Sequence, residues 1–325
     1  TVDGALDPTF DGDGRSIVFM GYGARLFDAT LQSDGRIVAA GKAAALSTDT
    51  ANQDFAVMRL NINGSLDNTF GDPVSAGSPV RTGKTRPYMD LYAYGYDEAR
   101  SVVVMPETQS ILLFGYAKKS NVGLGYTAAF ARLNPDGLWD TTYGYGGWKY
   151  DWNDALAFSG GRDLDSRIPL VVQPVSGRVL LGGTVDEAFP LRGTRGAVFR
   201  FLDQGDLDPT FGVNGIARFD VPTNVTPHNV KLNDLTVQRD DSIFVGGSVV
   251  VKKDWITNPD SDYFVARLKP TGQLDATFDS DGTSIIPFDW EQAQTNAKQT
   301  DYGQMVALQP SDGKARLIQR LAGDR

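Results

Sequence analysis

Apolar and polar residues alternate along this chain in short runs of period two, and the runs recur in a fixed order. A mostly apolar run at 29–32 meets the turn Ser33-Asp34-Gly35 and returns at 36–41; matching hairpins lie at 102–115, 170–183, 235–247 and 306–319. Such alternation, closed by turns of the Asp-Gly kind, predicts antiparallel β-hairpins. These are the most apolar segments, which places them near the middle of their sheets. A third strand is predicted at 54–60, 127–133, 196–202 and 262–268. Arg59, Arg132 and Arg267 each stand just before its closing leucine, with Arg200 one place out of step. A fourth strand is predicted at 14–19, 147–152, 215–219 and 282–288, while the matching stretch 72–80 is irregular. Helical periodicity is missing except at 291–300, which is polar all round and reads as a surface excursion.

Between the third and fourth strands lies a repeated motif, Gly-x-Leu/Trp-Asp-x-Thr-Phe/Tyr, beginning at Gly4, Gly64, Gly137, Gly205 and Gly272. Its aspartates are Asp7, Asp67, Asp140, Asp208 and Asp275. One copy per unit suits structure better than catalysis, which needs a single site. An Asp followed two residues later by Thr can hold its own turn by side-chain to backbone hydrogen bonds, and the preceding arginine is expected to pair with it. Each unit is then a four-stranded antiparallel meander with two apolar faces, and stacking such sheets radially buries both.

The chain resembles the delta-60 repeat family of bacterial β-propeller proteins. The resemblance rests on the motif turn, the Leu-Gln-x-Asp-Gly hairpin, and a strand end matched at Ala131-Arg132-Leu133-Asn134-Pro135-Asp136-Gly137. It covers essentially the whole chain and implies the propeller fold, but no particular activity. The expected fold is all-β: a single β-propeller domain, 1–325, of four-stranded antiparallel blades, with units starting near 4, 64, 137, 205 and 272. Five blades are expected. The last has no third strand, so it is incomplete or closed by the N-terminal strand 14–19, unless the chain is a segment of a larger propeller.

In such a meander the first-to-second and third-to-fourth turns share one end of the blade. Those turns are short and alike here, whereas the connections at the opposite end are long and variable: 72–99, 116–126, 151–168, 184–195, 249–261 and 289–303. Long loops gathered on one rim of a rigid scaffold suit recognition. They are rich in aromatics, and Tyr88, Tyr92, Tyr94, Tyr96, Trp255 and Trp290 are the candidate ligand-binding residues. Such side chains offer flat apolar area with a polar edge, fit for a sugar ring or a protein partner. Trp148, Tyr150 and Trp152 alternate as a strand would and are expected to pack between blades instead.

Composition narrows the partners. A net charge of -9 repels polyphosphate, so no nucleic acid is expected. No apolar run is long enough for a membrane span, so no membrane insertion is expected. The chain starts at Thr1 and has no cysteine, which excludes disulfides and thiolate metal sites; an exported location (periplasmic, cell-surface or secreted) is the expectation.

Candidate chemistry is sparse. Asp11-Gly12-Asp13-Gly14 and Asp279-Ser280-Asp281-Gly282 begin like calcium loops but never reach a sixth ligand, so they read as Asx turns, and no metal or other cofactor is expected. His228 is the sole histidine, and no Gly-x-Ser-x-Gly elbow accompanies it, which argues against a hydrolase triad. Ser78 to Thr85 misses a phosphate loop at its first position. Asp90, Asp97, Glu98, Asp163, Asp165, Asp186 and Glu187 lie on the variable rim, but spacing selects no pair among them for glycoside hydrolysis. No catalytic residue is assigned. The reading is a non-enzymatic binding or adhesion module for a protein or glycan. A hydrolase of carbohydrates or esters using rim carboxylates, or an architectural segment of a larger surface protein, are the alternatives.

Overall fold

The computed structural model of the chain describes residues 1, 3–45, 47–48, 52–89, 91, 95–119, 125–150, 168–186, 193–223, 229–252, 260–287, 302–308 and 315–320. Among them every regular element is a strand. Strands β1 (Tyr22–Leu31), β2 (Ile37–Ala44), β3 (Asp54–Leu60) and β4 (Lys84–Thr85) form one sheet in chain order, antiparallel throughout. The same meander recurs in β5 (Glu98–Val104), β6 (Ile111–Lys118), β7 (Tyr126–Leu133) and β8 (Trp148–Tyr150). It recurs again in β9 (Leu170–Val172), β10 (Val179–Asp186), β11 (Thr194–Phe201) and β12 (Ile216–Phe219). A fourth copy is made by β13 (Val230–Val237), β14 (Ile243–Lys252), β15 (Asp260–Leu268) and β16 (Thr283–Ile286). Finally β17 (Tyr302–Leu308) and β18 (Ala315–Arg320) pair as a two-stranded sheet.

The described residues thus hold four complete blades and a hairpin, not five blades. Segment 14–19, expected as a closing strand, joins no sheet among the described residues. The irregular stretch after Asp67 also resolves: the fourth strand of the first sheet comes late, at Lys84–Thr85, after an insertion. Lys84 and Thr85 are therefore an edge strand rather than the end of a phosphate loop.

The chain divides into two compact units, Thr1–Leu156 and Ala157–Arg325. Period-two alternation explains the packing inside each. In the first, Val38, Ala40, Phe55 and Val57 face a core shared with Ile111, Leu113, Ala129 and Ala131 of the second sheet. Ala39, Met58 and Leu60 point to the opposite face, where Phe10, Val18 and Met20 of the N-terminal segment cover them. In the second unit Ile243 and Val245 join Leu180, Val198 and Phe219, whereas Phe244 and Val265 turn to Val306 and Leu308 of the hairpin. Burying each such side chain stabilises by about 1.5–3 kcal/mol, so stacking of sheets is the main driving force.

The repeated motif fixes how the sheets stack. One Asp oxygen accepts the N–H and the hydroxyl of the following Thr, at 2.9 and 2.7 Å for both Asp7 and Asp67, and the other three copies do the same. The other oxygen meets an arginine eight residues earlier: Arg59 Nε on Asp67 at 2.7 Å, Arg132 Nε on Asp140 at 2.7 Å, Arg200 Nε on Asp208 at 3.0 Å and Arg267 Nη2 on Asp275 at 2.8 Å. Arg200 is in step after all. Phe201 occupies the position of Leu60 and Leu268, pairing with Leu207 as they pair with Leu66 and Leu274. Each guanidinium also covers its motif's own ring, 4.6 Å from Phe70, 4.5 Å from Tyr143, 4.7 Å from Phe211 and 5.4 Å from Phe278.

The motif is also a joint, not only a turn. Arg59 Nη1 donates to the Pro135 carbonyl of the next sheet at 2.5 Å, and Gly71 N–H to the Asp136 carbonyl at 2.7 Å. In the second unit Arg200 Nη1 donates to the Pro270 carbonyl at 2.7 Å, and Gly212 N–H to that of Thr271 at 2.9 Å. The approach is close enough to require glycine. A Cβ on Gly137, whose φ is +85°, would stand 2.7 Å from the Phe70 ring, and one on Gly272, with φ +89°, 2.9 Å from the Phe211 ring.

Burial pushes the Asp67 carboxyl up, but the two Thr69 hydrogen bonds and Arg59 outweigh it and hold it below the usual range; the same balance holds at Asp140 and Asp208. A carboxyl depressed on folding contributes stability above its unfolded pKa and loses it as pH falls through the folded value. Urea denaturation should therefore give a steady midpoint from about pH 5 to 7 and a falling one below about pH 4, with a shallower fall in Asp67→Asn. Arg59 is 4% exposed and Arg267 25%. Arg59→Ala should accordingly cost about 3 kcal/mol and Arg267→Ala about 1 kcal/mol in the same assay.

Candidate functional site

Each sheet begins with an edge strand, and four of these strands carry a bulge at one position. Register slips fall between Leu26 and Asp28, Ala99 and Ser101, Leu232 and Asp234, and Gly303 and Met305. The inserted residues are Phe27, Arg100, Asn233 and Gln304. Glycine on the neighbouring strand admits the bulge: a Cβ on Gly41, Gly115 or Gly247 would lie 1.9 Å from the carbonyl oxygen of Arg25, Glu98 or Lys231.

In the first unit two bulged edges meet. The Asp28 carboxylate accepts the Val102 N–H at 3.0 Å, tying β1 to β5. Arg100 lies 4.2 Å from the centroid of the Phe27 ring, and Arg25 lies 4.9 Å from it. Glu98, fully buried, takes Arg100 Nη2 at 2.6 Å and Nε at 2.8 Å on one oxygen, and faces Lys42 Nζ at 3.6 Å with the other. Lys42 stands 4.3 Å from the Tyr96 ring centroid and donates to the Tyr96 hydroxyl; Tyr96 meets Tyr126 edge to face at 6.4 Å. The register pairs Tyr22 with Ala44 and Ala43 with Asp54, so this group sits at the sheet end from which the long connections leave.

Three carboxylates here are committed to structure, while Asp186 is exposed at the end of β10. Asp97 accepts the Lys118 N–H at 2.8 Å, Asp54 lies 3.6 Å from Arg86, and Glu98 is shared by two cations. What the group presents outward is cationic and aromatic. Arg25 is exposed beside Phe27, and Tyr88, on the connection that carries Tyr96, is 58% exposed. Such a surface suits stacking against a ring and pairing with an anionic group.

Tyr96 therefore belongs to this group through Lys42, and Tyr88 is exposed. Tyr92, Tyr94, Trp255 and Trp290 lie outside the described residues, as do Asp90, Asp163, Asp165, Glu187, His228, Trp152, Phe158 and the stretch 291–300. Trp148 and Tyr150 stack at 5.3 Å against the core shared by the two sheets of the first unit. Asp13 caps the Arg15 N–H at 2.9 Å and Asp281 that of Thr283 at 2.7 Å, the geometry of Asx turns. Phe27, Lys42 and Arg100 escaped the sequence reading, because the paired strands run several residues past the apolar hairpin cores. A charge flanked by strand residues, as in Gly41-Lys42-Ala43 and Glu98-Ala99-Arg100, was the available signal.

Removing Arg100 takes away the cation that makes two hydrogen bonds to the buried Glu98. A double-mutant cycle of Glu98→Ala and Arg100→Ala should show each single change costing about 3 kcal/mol and the pair coupled by about 2 kcal/mol, measured by chemical denaturation.

Residues 32–70 and 238–278 match the model of a family described as a domain of unknown function (DUF5122) beta-propeller. Both segments run from the glutamine that follows a first strand, Gln32 or Gln238, to the motif ring, Phe70 or Phe278. Among curated proteins none matches. Similar solved structures include a protein of unknown function from Dyadobacter fermentans, 9% identical over 88% of this chain and 72% of that one, with a TM-score of 0.41. A mutant of the alpha-L-arabinofuranosidase arb93a from Fusarium graminearum is 7% identical over 90% and 88%, with a TM-score of 0.48. A GH43 endo-arabinanase from Bacillus licheniformis is 10% identical over 90% and 92%, with a TM-score of 0.36. With its repeated four-stranded antiparallel blades, the chain is an all-β protein of the β-propeller kind.

Proposed function

We propose that this chain is a non-enzymatic binding or adhesion module that recognises a protein or a glycan through its rim of long connections. The observation that supports it is the cationic and aromatic group of Arg25, Phe27, Lys42 and Tyr96 at that rim, with Tyr88 exposed nearby in sequence. Tyr92, Tyr94, Trp255 and Trp290 belong to the same proposal through their place in the long loops. The binding reading is preferred to hydrolysis because Asp54, Asp97 and Glu98 are each engaged by a cation or an N–H. Kinship with the delta-60 repeat proteins and export from the cell go with this reading.

A glycan array and a panel of acidic peptides, read out by tryptophan fluorescence, test it. One ligand class should bind, and Tyr88→Ala and Arg25→Ala should each weaken binding about tenfold without moving Tm. Binding unchanged in both variants, or no ligand in either panel, would overturn the proposal.

A further inference from the structure

The turn between the third and fourth strands repeats its backbone but not its surface. In the second sheet Tyr145 N–H donates to the Trp148 carbonyl at 2.8 Å, as in the third Val213 N–H does to that of Ile216 at 2.9 Å. Gly147 and Gly215 N–H likewise donate to the carbonyls of Tyr143 and Phe211, at 2.7 and 2.9 Å. The fourth strands hold one register, with Trp148 opposite Ala131, Ile216 opposite Phe199 and Thr283 opposite Ala266. The copies can therefore be compared place by place. Where the second sheet has Tyr145, Trp148 and Tyr150, the third has Val213, Ile216 and Arg218, and the fourth has Ser280, Thr283 and Ile285. The turn and its strand thus need no aromatic ring at any of the three places.

In the second sheet the three rings form one continuous group. Trp148 and Tyr150 stack with centroids 5.3 Å apart and planes 21° apart, and Tyr145 lies 5.8 Å from the first and 6.1 Å from the second. Trp148 and Tyr150 rest on the core of the first unit and are half-buried, whereas Tyr145 is 61% exposed. The turn that carries Tyr145 is tightly held. Gly144, with φ +52°, has no room for a Cβ beside the Trp148 carbonyl oxygen. Burial pushes the Tyr150 hydroxyl above its ordinary value, and the nearby Tyr145 adds to the shift, so Tyr150 is uncharged at neutral pH.

We propose that Tyr145, Trp148 and Tyr150 form a stacking platform for a sugar ring of a neutral polysaccharide. Their faces suit the C–H side of a sugar, and the phenol and indole edges suit its hydroxyls. A neutral ligand fits, since the rings bear no charge and Lys149, between two of them on the strand, alternates to the other face. Size favours a sugar over a protein. Three rings spaced 5.3 to 6.1 Å apart cover far less than the roughly 800 Å² that each partner of a stable protein complex buries. This platform shares no residue with the rim group and stands whether or not that group binds.

Affinity electrophoresis of the full chain through gels containing a soluble β-glucan, a xyloglucan or a galactomannan tests the assignment. At least one of these should retard the parent, and Tyr145→Val and Trp148→Ile, which install the residues of the third sheet's turn, should each weaken binding about tenfold. Val213→Ala should be retarded like the parent, and Tyr145→Val should keep the parent's circular dichroism and Tm. No retardation of the parent in any of the three gels, or retardation unchanged in Tyr145→Val, would overturn the assignment. So would retardation that Arg25→Ala abolishes and Tyr145→Val does not, which would give the sugar to the rim group instead.

Discussion

An aspartate that holds a threonine with one oxygen and an arginine with the other is the joint on which this molecule depends. A blade has two apolar faces, and hydrophobic burial alone would let neighbouring sheets slide or rotate against each other. The Arg–Asp–Thr turn removes that freedom. It closes the blade it belongs to through Arg59 and Asp67, and the same guanidinium reaches the Pro135 carbonyl of the next. The motif ring beneath it, Phe70 or Phe211, then receives the glycine of the following turn. Burial supplies most of the free energy, and the ion pair with its directional bonds selects one stacking arrangement from many.

The other end of the blades obeys a looser rule. There the edge strands bulge, and the bulge brings side chains together that an ideal strand would send apart. In the first unit this gathers Phe27, Arg100, Glu98, Lys42 and Tyr96 into a group with alternating charge and aromatic faces. Such a group is expensive to desolvate and is stable only because each charge has a partner. One end of the sheet is thus uniform, while the other is varied and gathers paired charges and aromatic rings.

Legibility in the sequence followed range. The third strands, the Asp-Thr turns and their arginines lie within about ten residues of one another, and local spacing was enough to find them. Arg200 looks out of step in the sequence because a phenylalanine, Phe201, fills the place that leucine holds in the other copies. The late fourth strand at Lys84–Thr85 was hidden because an insertion separates it from the turn it completes. The rim group was hidden for a different reason: Phe27 and Arg100 are far apart in the chain and meet only because two edges bulge at matching positions.

Period-two alternation and one short motif thus determined the strand content, the meander and the pairing inside each blade, because all of these are settled by neighbours along the chain. The number of complete blades was decided elsewhere. Segment 14–19 has the pattern of a strand yet lies in no sheet among the described residues, since a strand exists only where a second backbone accepts its hydrogen bonds. The second task of the motif, joining one sheet to the next, was likewise set by tertiary structure, for only the packed molecule brings Arg59 against Pro135 and Arg200 against Pro270.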